Sequence, residues 1–521
     1  MSTRSDALRS ERLTAVLESV GRLDQALGQR AQGSAVTWLN RLSIHSTRPD
    51  RGQIELAGVE VLERLDQLTD EDVLSLDRRV RSWSEYIHHW GTGNLSRGFV
   101  ADQATTAQAA TAAASFAVSG YTRERACSVL GSFLPWSFRL LAIRTSDWVP
   151  QVRAAALDSL KEVGPDEIAS HLGLVSHLTT DRSRGAAFSE LVDHALHSDA
   201  GLIELDRARR LMDVRSRRAA WTLLMKWQPD ETLAKLADAA RDSDVWLRQW
   251  ALRHAHETGV DDAVRLDLVS ALRADPVGRL RAAAVALGIE LGAIDDPALS
   301  AALSDSSSAM RSLVQRRLRA AGVDVASTYR ARLERQPAIG DLLGLGETGQ
   351  RDDAGRLSPW LQDPRPGYRR AALLASVTLL RDEAIHTAAE LLSDPSPRVA
   401  RTATRLLTRF RLPNDLIAQL EEQANHGGSA AIKRRAVLLL RPYSWRWLLA
   451  ILRSLDGADD ETATFLKAEL ADWHRRSARI TTGPPKTSAD EIQARLGAVS
   501  DASARSIAFV LRTSTPPRSP H

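Results

Sequence analysis

The chain has 521 residues, 43% hydrophobic and 26% charged, a composition that excludes a disordered polymer and leaves room for several globular domains or one extended solenoid. Its single cysteine, Cys127, excludes an intrachain disulfide and a cysteine-rich zinc site, and a thiol role would need a local base that the sequence does not show. The net charge of +4 is unevenly spread: residues 1–110 carry 13 Lys/Arg against 15 Asp/Glu, residues 111–430 carry 41 against 41, and residues 431–521 carry 15 against 9.

The middle of the chain is therefore neutral and the basic surplus sits at the C-terminal end. Only six of the 69 basic residues are lysine, a bias that GC-rich coding produces alongside abundant alanine, so arginine content is weak ground for a nucleic-acid partner. The opening Met1-Ser-Thr-Arg-Ser-Asp lacks the apolar core of a signal peptide, and no uninterrupted apolar stretch reaches membrane-spanning length. A cytoplasmic protein with no membrane partner is expected.

Residues 1–115 read as an N-terminal helical region. Leu8, Leu13, Val16, Leu17, Val20, Leu23 and Leu27 recur every three or four residues and draw one apolar stripe. A break at 46–52 precedes a second amphipathic stretch through Val59, Val61, Leu62, Leu65 and Leu68. Thr69-Asp-Glu-Asp72 resembles a helix start, because acidic side chains suit the positive end of the helix dipole. Trp90-Gly-Thr-Gly-Asn94 punctuates the chain, and residues 101–117, mostly Ala, Thr, Gln and Ser, suit a thin helix better than a linker.

From about Phe116 a polar pair recurs at a spacing of six: Asp147 with Arg153, Asp242 with Arg248, Asp275 with Arg281, Asp305 with Arg311, and Asp363 with Arg369. The aspartates lie 95, 33, 30 and 58 residues apart, near three, one, one and two copies of a period of roughly 31. The phrase is clearest from Asp275 to Gly288. Asp275 is suited to accept backbone amides at a turn, Pro276 to begin a helix, Leu280 to be buried, Ala282 to Ala284 to let helices approach, and Gly288 to supply a left-handed stop. At Asp394 the phrase returns with its arginine one place late, at Arg401, and after Asp147 it carries Trp148 where proline stands elsewhere. Degraded copies fall at Asp181, at Arg217-Arg218 with the aspartate displaced to Asp213, at Lys433-Arg434-Arg435, and most weakly near 334–345. Nine or ten helix pairs are expected over residues 116–440, none able to bury its faces alone.

This pattern resembles HEAT repeats, especially the short kind of bilin-lyase-type repeat proteins. The matching residues are the turn aspartates, the apolar residue five positions on (Val152, Leu247, Leu280, Met310, Tyr368) and the arginine at the sixth. The resemblance implies an all-α, right-handed bacterial α-solenoid of HEAT-like helix pairs (ARM-type fold), in which the five aspartates and arginines hydrogen-bond along the stack as a structural ladder. In that frame Arg218 is a ladder arginine. The resemblance carries over no catalytic residue, and such folds host unrelated functions.

After Arg441-Pro442 the phrase stops. Residues 441–512 read as a C-terminal helical cap, with amphipathic helices over 443–452 and 492–511 separated by a loop at 481–488, and residues 513–521 as a disordered tail.

The run from Arg207 to Arg218 holds six arginines against one acid and could present phosphate oxygens with a positive face through Arg207, Arg209, Arg210, Arg215 and Arg217. An ordinary solvated helix surface explains it as well. Trp250 occupies a slot held by Ala283 and Ala371 in other copies and is expected to be buried. Trp246 occupies a slot holding Gln151, Arg279, Ala309 and Gly367, so it is expected at the surface as an interface anchor, the alternative being a ring flat against the neighbouring repeat. His88-His89, His194 with His197 and Asp199, and His254 with His256 lack a third ligand from another element and read as surface residues. The glycines of 340–346 lack the strand and lysine of a phosphate loop.

No catalytic, cofactor-binding or metal residue emerges. A non-enzymatic, cytoplasmic scaffold that binds a protein partner on its concave helix face is the leading expectation. The alternative is a nucleic-acid-binding protein using the Arg207–Arg218 face, with a surface like that of alkylpurine DNA glycosylases, for which Trp246, Asp244, Arg248, Arg215 and Arg217 would supply the residue types. A site in the first hundred residues is a third possibility.

Overall fold

The computed structural model describes residues 2–36, 51–82, 104–180, 185–477, 480, 483–499 and 502–514. The His88-His89 pair, the Trp90–Asn94 punctuation, the copy begun at Asp181, residues 46–50 of the first break and residues 515–521 lie outside them. Every regular element among the described residues is helical, so the fold is all-α, built of successive helix pairs. Among the described residues ten pairs follow one another from the one opened by Gly120–Leu130 to the one closed by Asn414–His426, and within each unit helices pack on sequence neighbours or on counterparts one copy along. The copy near 334–345 is a real pair, opened by Ile339–Thr348. The chain divides into two units, Met1–Leu268 and Val269–His521.

In the first unit, Leu13, Val16, Leu17, Val20 and Leu23 are buried as the stripe predicts, while Leu8 is exposed. Thr69 and Asp72 close a reciprocal capping box at 3.1 and 3.2 Å, and the buried Asp72 also receives Arg9 and Arg12. The Ala-rich segment forms the buried helix Ala104–Ala114. One core runs from Leu13 through Val61, Ala110 and Phe116 to Leu224, joining the N-terminal helices to the first repeats. In the second unit a core from Leu373 to Ala508 likewise joins the last repeats to the C-terminal helices. The boundaries drawn at 115/116 and 440/441 fall inside these units.

The polar pair has a defined geometry. Arg123, Arg153, Arg217, Arg248, Arg281, Arg311 and Arg369 are each the fourth residue of their helix. Nη1 of each donates to the carbonyl six residues back: Ala117 at 2.8 Å, Asp147 at 2.7 Å, Leu211 at 2.9 Å, Asp242 at 2.9 Å, Asp275 at 2.6 Å, Asp305 at 2.8 Å and Asp363 at 2.8 Å. The guanidinium's other edge reaches into the next copy. Arg123 grips Asp147, Arg217 grips Asp242, Arg281 grips Asp305 and Arg369 grips Asp394, each bidentate at 2.6–3.0 Å. Each of these carboxylates also accepts the backbone amide two residues on. A rung thus ties one turn's backbone to the following turn's side chain.

Several details correct the sequence reading. Within a copy the arginine meets its aspartate's carbonyl; its carboxylate partner lies 24 or 25 residues further on. The rung between Arg217 and Asp242 makes Arg217, not Arg218, the ladder arginine, and Asp213 is the N-cap of its helix, accepting from the amide of Ser216. Arg311 passes to Glu347 rather than to an aspartate, and the carboxylate of Asp363 is taken by Arg365. Arg401 contributes no rung, because the fourth position of its helix is Ala400.

Gly288 does not stop a helix: it lies inside Gly278–Glu290, where a Cβ would stand 2.7 Å from Ile294, and the positive φ of 68° belongs to Gly292. Pro276 precedes the N-cap Val277. The 340–346 glycines sit in a helix, Gly344 admitting the ring of Tyr329. In the C-terminal region the sequence reading missed the helix Asp460–Ser477. The expected 492–511 helix is two, Lys486–Ala498 and Ala502–Ser514, separated at the extended Val499. Lys486 to Ser488 and Thr513 to Ser514 are thereby helical rather than loop or tail.

Candidate interaction groove

Four helices of the first unit, Leu172–Thr179, Ala186–Leu196, Val214–Trp227 and Val245–His254, enclose a groove of about 500 Å³. The amide of Gly173 donates to Ser216 Oγ at 2.9 Å, fixing the first helix against the third. Leu172, Val175, Val192 and Leu223 supply apolar lining, and Ser176, Thr180 and Thr222 add hydroxyls. Thr180 and Thr222 donate to carbonyls of their own helices, which leaves lone pairs and methyl groups for a ligand.

Trp246 stands at one wall. Its ring lies 5.4 Å from the guanidinium carbon of Arg218, which is bidentate to Asp244 at 2.6 and 2.8 Å. Asp244 is the N-cap of the Val245–His254 helix, accepting from the amide of Leu247. The Arg218 hydrogen bond, outweighing burial, holds the Asp244 carboxyl below the usual carboxylate range and raises the Arg218 guanidinium in turn. Trp246 is consequently half-buried beneath an arginine of the preceding copy, between the exposed anchor and the flat-packed ring that its variable slot allowed.

Trp250, one turn on, is buried against Trp221 and His254 at ring distances of 5.5 and 4.5 Å, whereas in the same slot Ala371 is buried and Ala283 is exposed.

The Arg207–Arg218 run does not form one positive face. Arg207 pairs with Glu204, Arg209 with Asp206 and Asp238, Arg215 with Glu71, Arg217 with Asp242 and Arg218 with Asp244, and Arg210 lies 3.8 Å from Asp206. Arg209 and Arg217 are buried, Arg209 over Trp221. Arg209, Arg210 and Arg217 border a separate hollow with Met212 and Asp242, whereas Arg215 and Arg218 line the groove. The non-helical link at 209–213 parts the two helices, and along the second helix Arg217 faces the ladder while Arg215 and Arg218 face the groove. Lys226, the groove's other strong cation, pairs with Asp193 at 3.2 Å.

The glycosylase-like set is parted for the same reason. Arg248 and Arg217 are ladder residues and Asp244 is a helix cap, so only Trp246 and Arg215 of that set line the groove. His197 stacks on Trp227 at 5.2 Å, and among the described residues no group of three or more His, Cys, Asp or Glu is placed to hold a metal ion. Cys127 is buried among Arg123, Arg144 and Asp147, and burial pushes its thiol up to about 12. No helix among the described residues is long and apolar enough to cross a membrane.

Helix-pair repeats joined by polar rungs, with paired ions around an apolar groove, define a repeat protein built of helices. No known family and no curated protein matches the chain. Among solved structures it is similar to importin beta, at 11% identity and a TM-score of 0.27, the match covering 98% of this chain and 65% of that one. It is similar also to UNC-45 from Drosophila melanogaster, at 12% identity and a TM-score of 0.22, covering 98% and 81% of the two chains. A third is the Pds5–Scc1 complex, at 9% identity and a TM-score of 0.20, covering 91% and 84%. The chain thus spans less than two thirds of the length of importin beta, and likenesses at these scores carry no argument about partners.

Proposed function

We propose that the chain is a non-enzymatic, cytoplasmic HEAT-like scaffold that docks a protein partner on its helix face, with the groove at Trp246 as a contact point. The observation that carries this reading is the held aromatic. Asp244 and Arg218 fix Trp246 at the wall of an apolar-lined groove of about 500 Å³, a size that accepts one or two side chains of a partner. Because Arg215, Arg218 and Lys226 already have carboxylate partners, a phosphate backbone would have to displace an acid at each, which argues against the nucleic-acid reading.

The test is a photo-crosslinking residue placed at Thr222 inside the groove or at the exposed Ile203, in the full chain within its native host. A protein crosslinked from 222, absent from 203 and lost with Trp246→Ala supports the groove. Identical crosslinked products from the two positions, unchanged by Trp246→Ala, would remove it. Retention of DNA or RNA that weakens steeply with salt would favour the nucleic-acid reading instead.

A further inference from the structure

The second unit holds a hollow of about 500 Å³ that owes nothing to the Trp246 groove. Its apolar lining comes from Leu343, Leu374, Leu406 and Phe410, on the helices Ile339–Thr348 and Pro366–Leu380 and at the end of Pro397–Leu407. Two arginines border it, Arg381 and Arg409, both exposed. Neither has an acid within ion-pair distance among the described residues, unlike each strong cation of the first groove. The hollow's one carboxylate, Glu347, is already occupied by the Arg311 rung and by Gln315 at 3.0 Å. Its charge is balanced from behind, so the two arginines remain uncompensated.

Arg381 has a second distinguishing feature. It is the C-cap of Pro366–Leu380 with φ 55° and ψ −122°, and no other non-glycine residue described has a positive φ. This is a conformation that glycine adopts readily and an L side chain adopts at a cost. Glycine occupies the other described positions with strongly positive φ, at 259, 292, 322 and 457. Here an arginine stands in the strained turn, and that arginine borders the hollow.

We propose that this hollow binds an acidic segment of a protein in which a bulky apolar side chain is flanked by carboxylates. The apolar side chain fills the space between Leu374, Leu406 and Phe410, and the carboxylates are taken by Arg381 and Arg409 as charge-assisted hydrogen bonds. A protein segment fits better than nucleic acid, because the lining is apolar and the cations number two at one hollow rather than a stripe along a groove. The inference shares with the scaffold reading only the class of ligand and stands on a different site.

The experiment selects 12-residue peptides from a random displayed library on the full chain at low salt, then measures a selected, labelled peptide by fluorescence anisotropy. Selected peptides are expected to place Asp or Glu beside Leu, Ile or Phe. Binding should fall at least tenfold with Arg409→Ala and with Arg381→Gly, and should survive Trp246→Ala. Arg381→Gly should raise the melting temperature, so its loss of binding cannot be a loss of fold. The proposal is overturned by peptides without acids, by no enrichment, or by binding indifferent to both arginines. Peptides lost with Trp246→Ala alone would assign them to the first groove, and a thymine oligonucleotide that needs the arginines when the acidic peptides do not would replace protein by nucleic acid.

Discussion

The groove beside Trp246 and the hollow beside Arg381 each enclose about 500 Å³, yet their cations are held in opposite ways. In the groove, Arg215, Arg218 and Lys226 answer to Glu71, Asp244 and Asp193. In the hollow, neither arginine answers to an acid among the described residues. A ligand in the groove must draw its affinity from apolar contact, while one in the hollow gains charge that the protein leaves unspent. The ladder is the extreme case of the first arrangement, with Arg123, Arg217 and Arg369 buried and each bidentate to an acid. Pairing, not the count of arginines, decides which surface attracts an anion.

The strongest way to probe this contrast is at Asp147, fully buried and shared by Arg123 and Arg144. Asp147→Asn leaves the buried guanidinium of Arg123 without its counter-charge, while Arg144 keeps Asp77, and should cost about 3–5 kcal/mol, read as a lowered thermal midpoint by circular dichroism. A cost within experimental error would mean that the rungs are ornaments of the turn. Neighbouring residues give the next test. Arg217→Ala removes a buried rung and should cost about 3 kcal/mol. Arg218→Ala removes a partly exposed pair, for which solvent screening limits the loss to about 1 kcal/mol or less, while abolishing crosslinking in the groove. Equal losses at the two positions would erase the distinction between ladder and groove.

Acid should reveal the same division. Burial tends to raise the carboxyls of Asp147, Asp305 and Asp394, but hydrogen bonds from Arg123, Arg281 and Arg369 and from backbone amides, with the nearby positive charge, hold all three below the usual range. A carboxyl depressed by folding contributes stability that is complete above its unfolded pKa, near 4, and lost as pH falls through the lower folded value. The urea midpoint should therefore be steady towards neutrality and drop below about pH 4, less steeply in Asp147→Asn. One small effect runs the other way. Arg381→Gly relieves a strained turn and should stabilise by about 1 kcal/mol, visible as a raised thermal midpoint. A destabilised Arg381→Gly would show that the arginine serves the fold rather than the hollow.

The repeat was legible because its turn aspartate and fourth-position arginine stand at fixed spacing, and Trp250 is buried as expected although its slot is exposed at Ala283. The rungs were not. The contact within a copy goes to a carbonyl, which any residue supplies, so Arg123 over Ala117 and Arg217 over Leu211 carry no aspartate to mark them. The usable signal was arginine followed by aspartate 24 or 25 residues on, a spacing that crosses from one copy to the next. Two adjacent arginines at 217 and 218 then differ only in helical phase, one turned to the ladder and one to the groove. The hollow was out of reach, because neither a strained φ nor the absence of a counter-charge is written in residue type. Trp246 fell between its two expectations because its cover, Arg218, belongs to the preceding copy.

The rung has a direction: each arginine holds its own turn from behind and the next turn from in front. Such a joint is complementary head to tail and recurs with the same partners in the same geometry at four turns, like a coupling between carriages. A copy duplicated in tandem, such as the one opened by Gly278–Glu290, would bring an acid for the arginine before it and an arginine for the acid after it. Lengthening the stack by whole copies therefore leaves no buried charge without a counterpart, whereas a cut inside a copy strands one on either side. The ladder that holds the chain together also sets the unit in which it can grow.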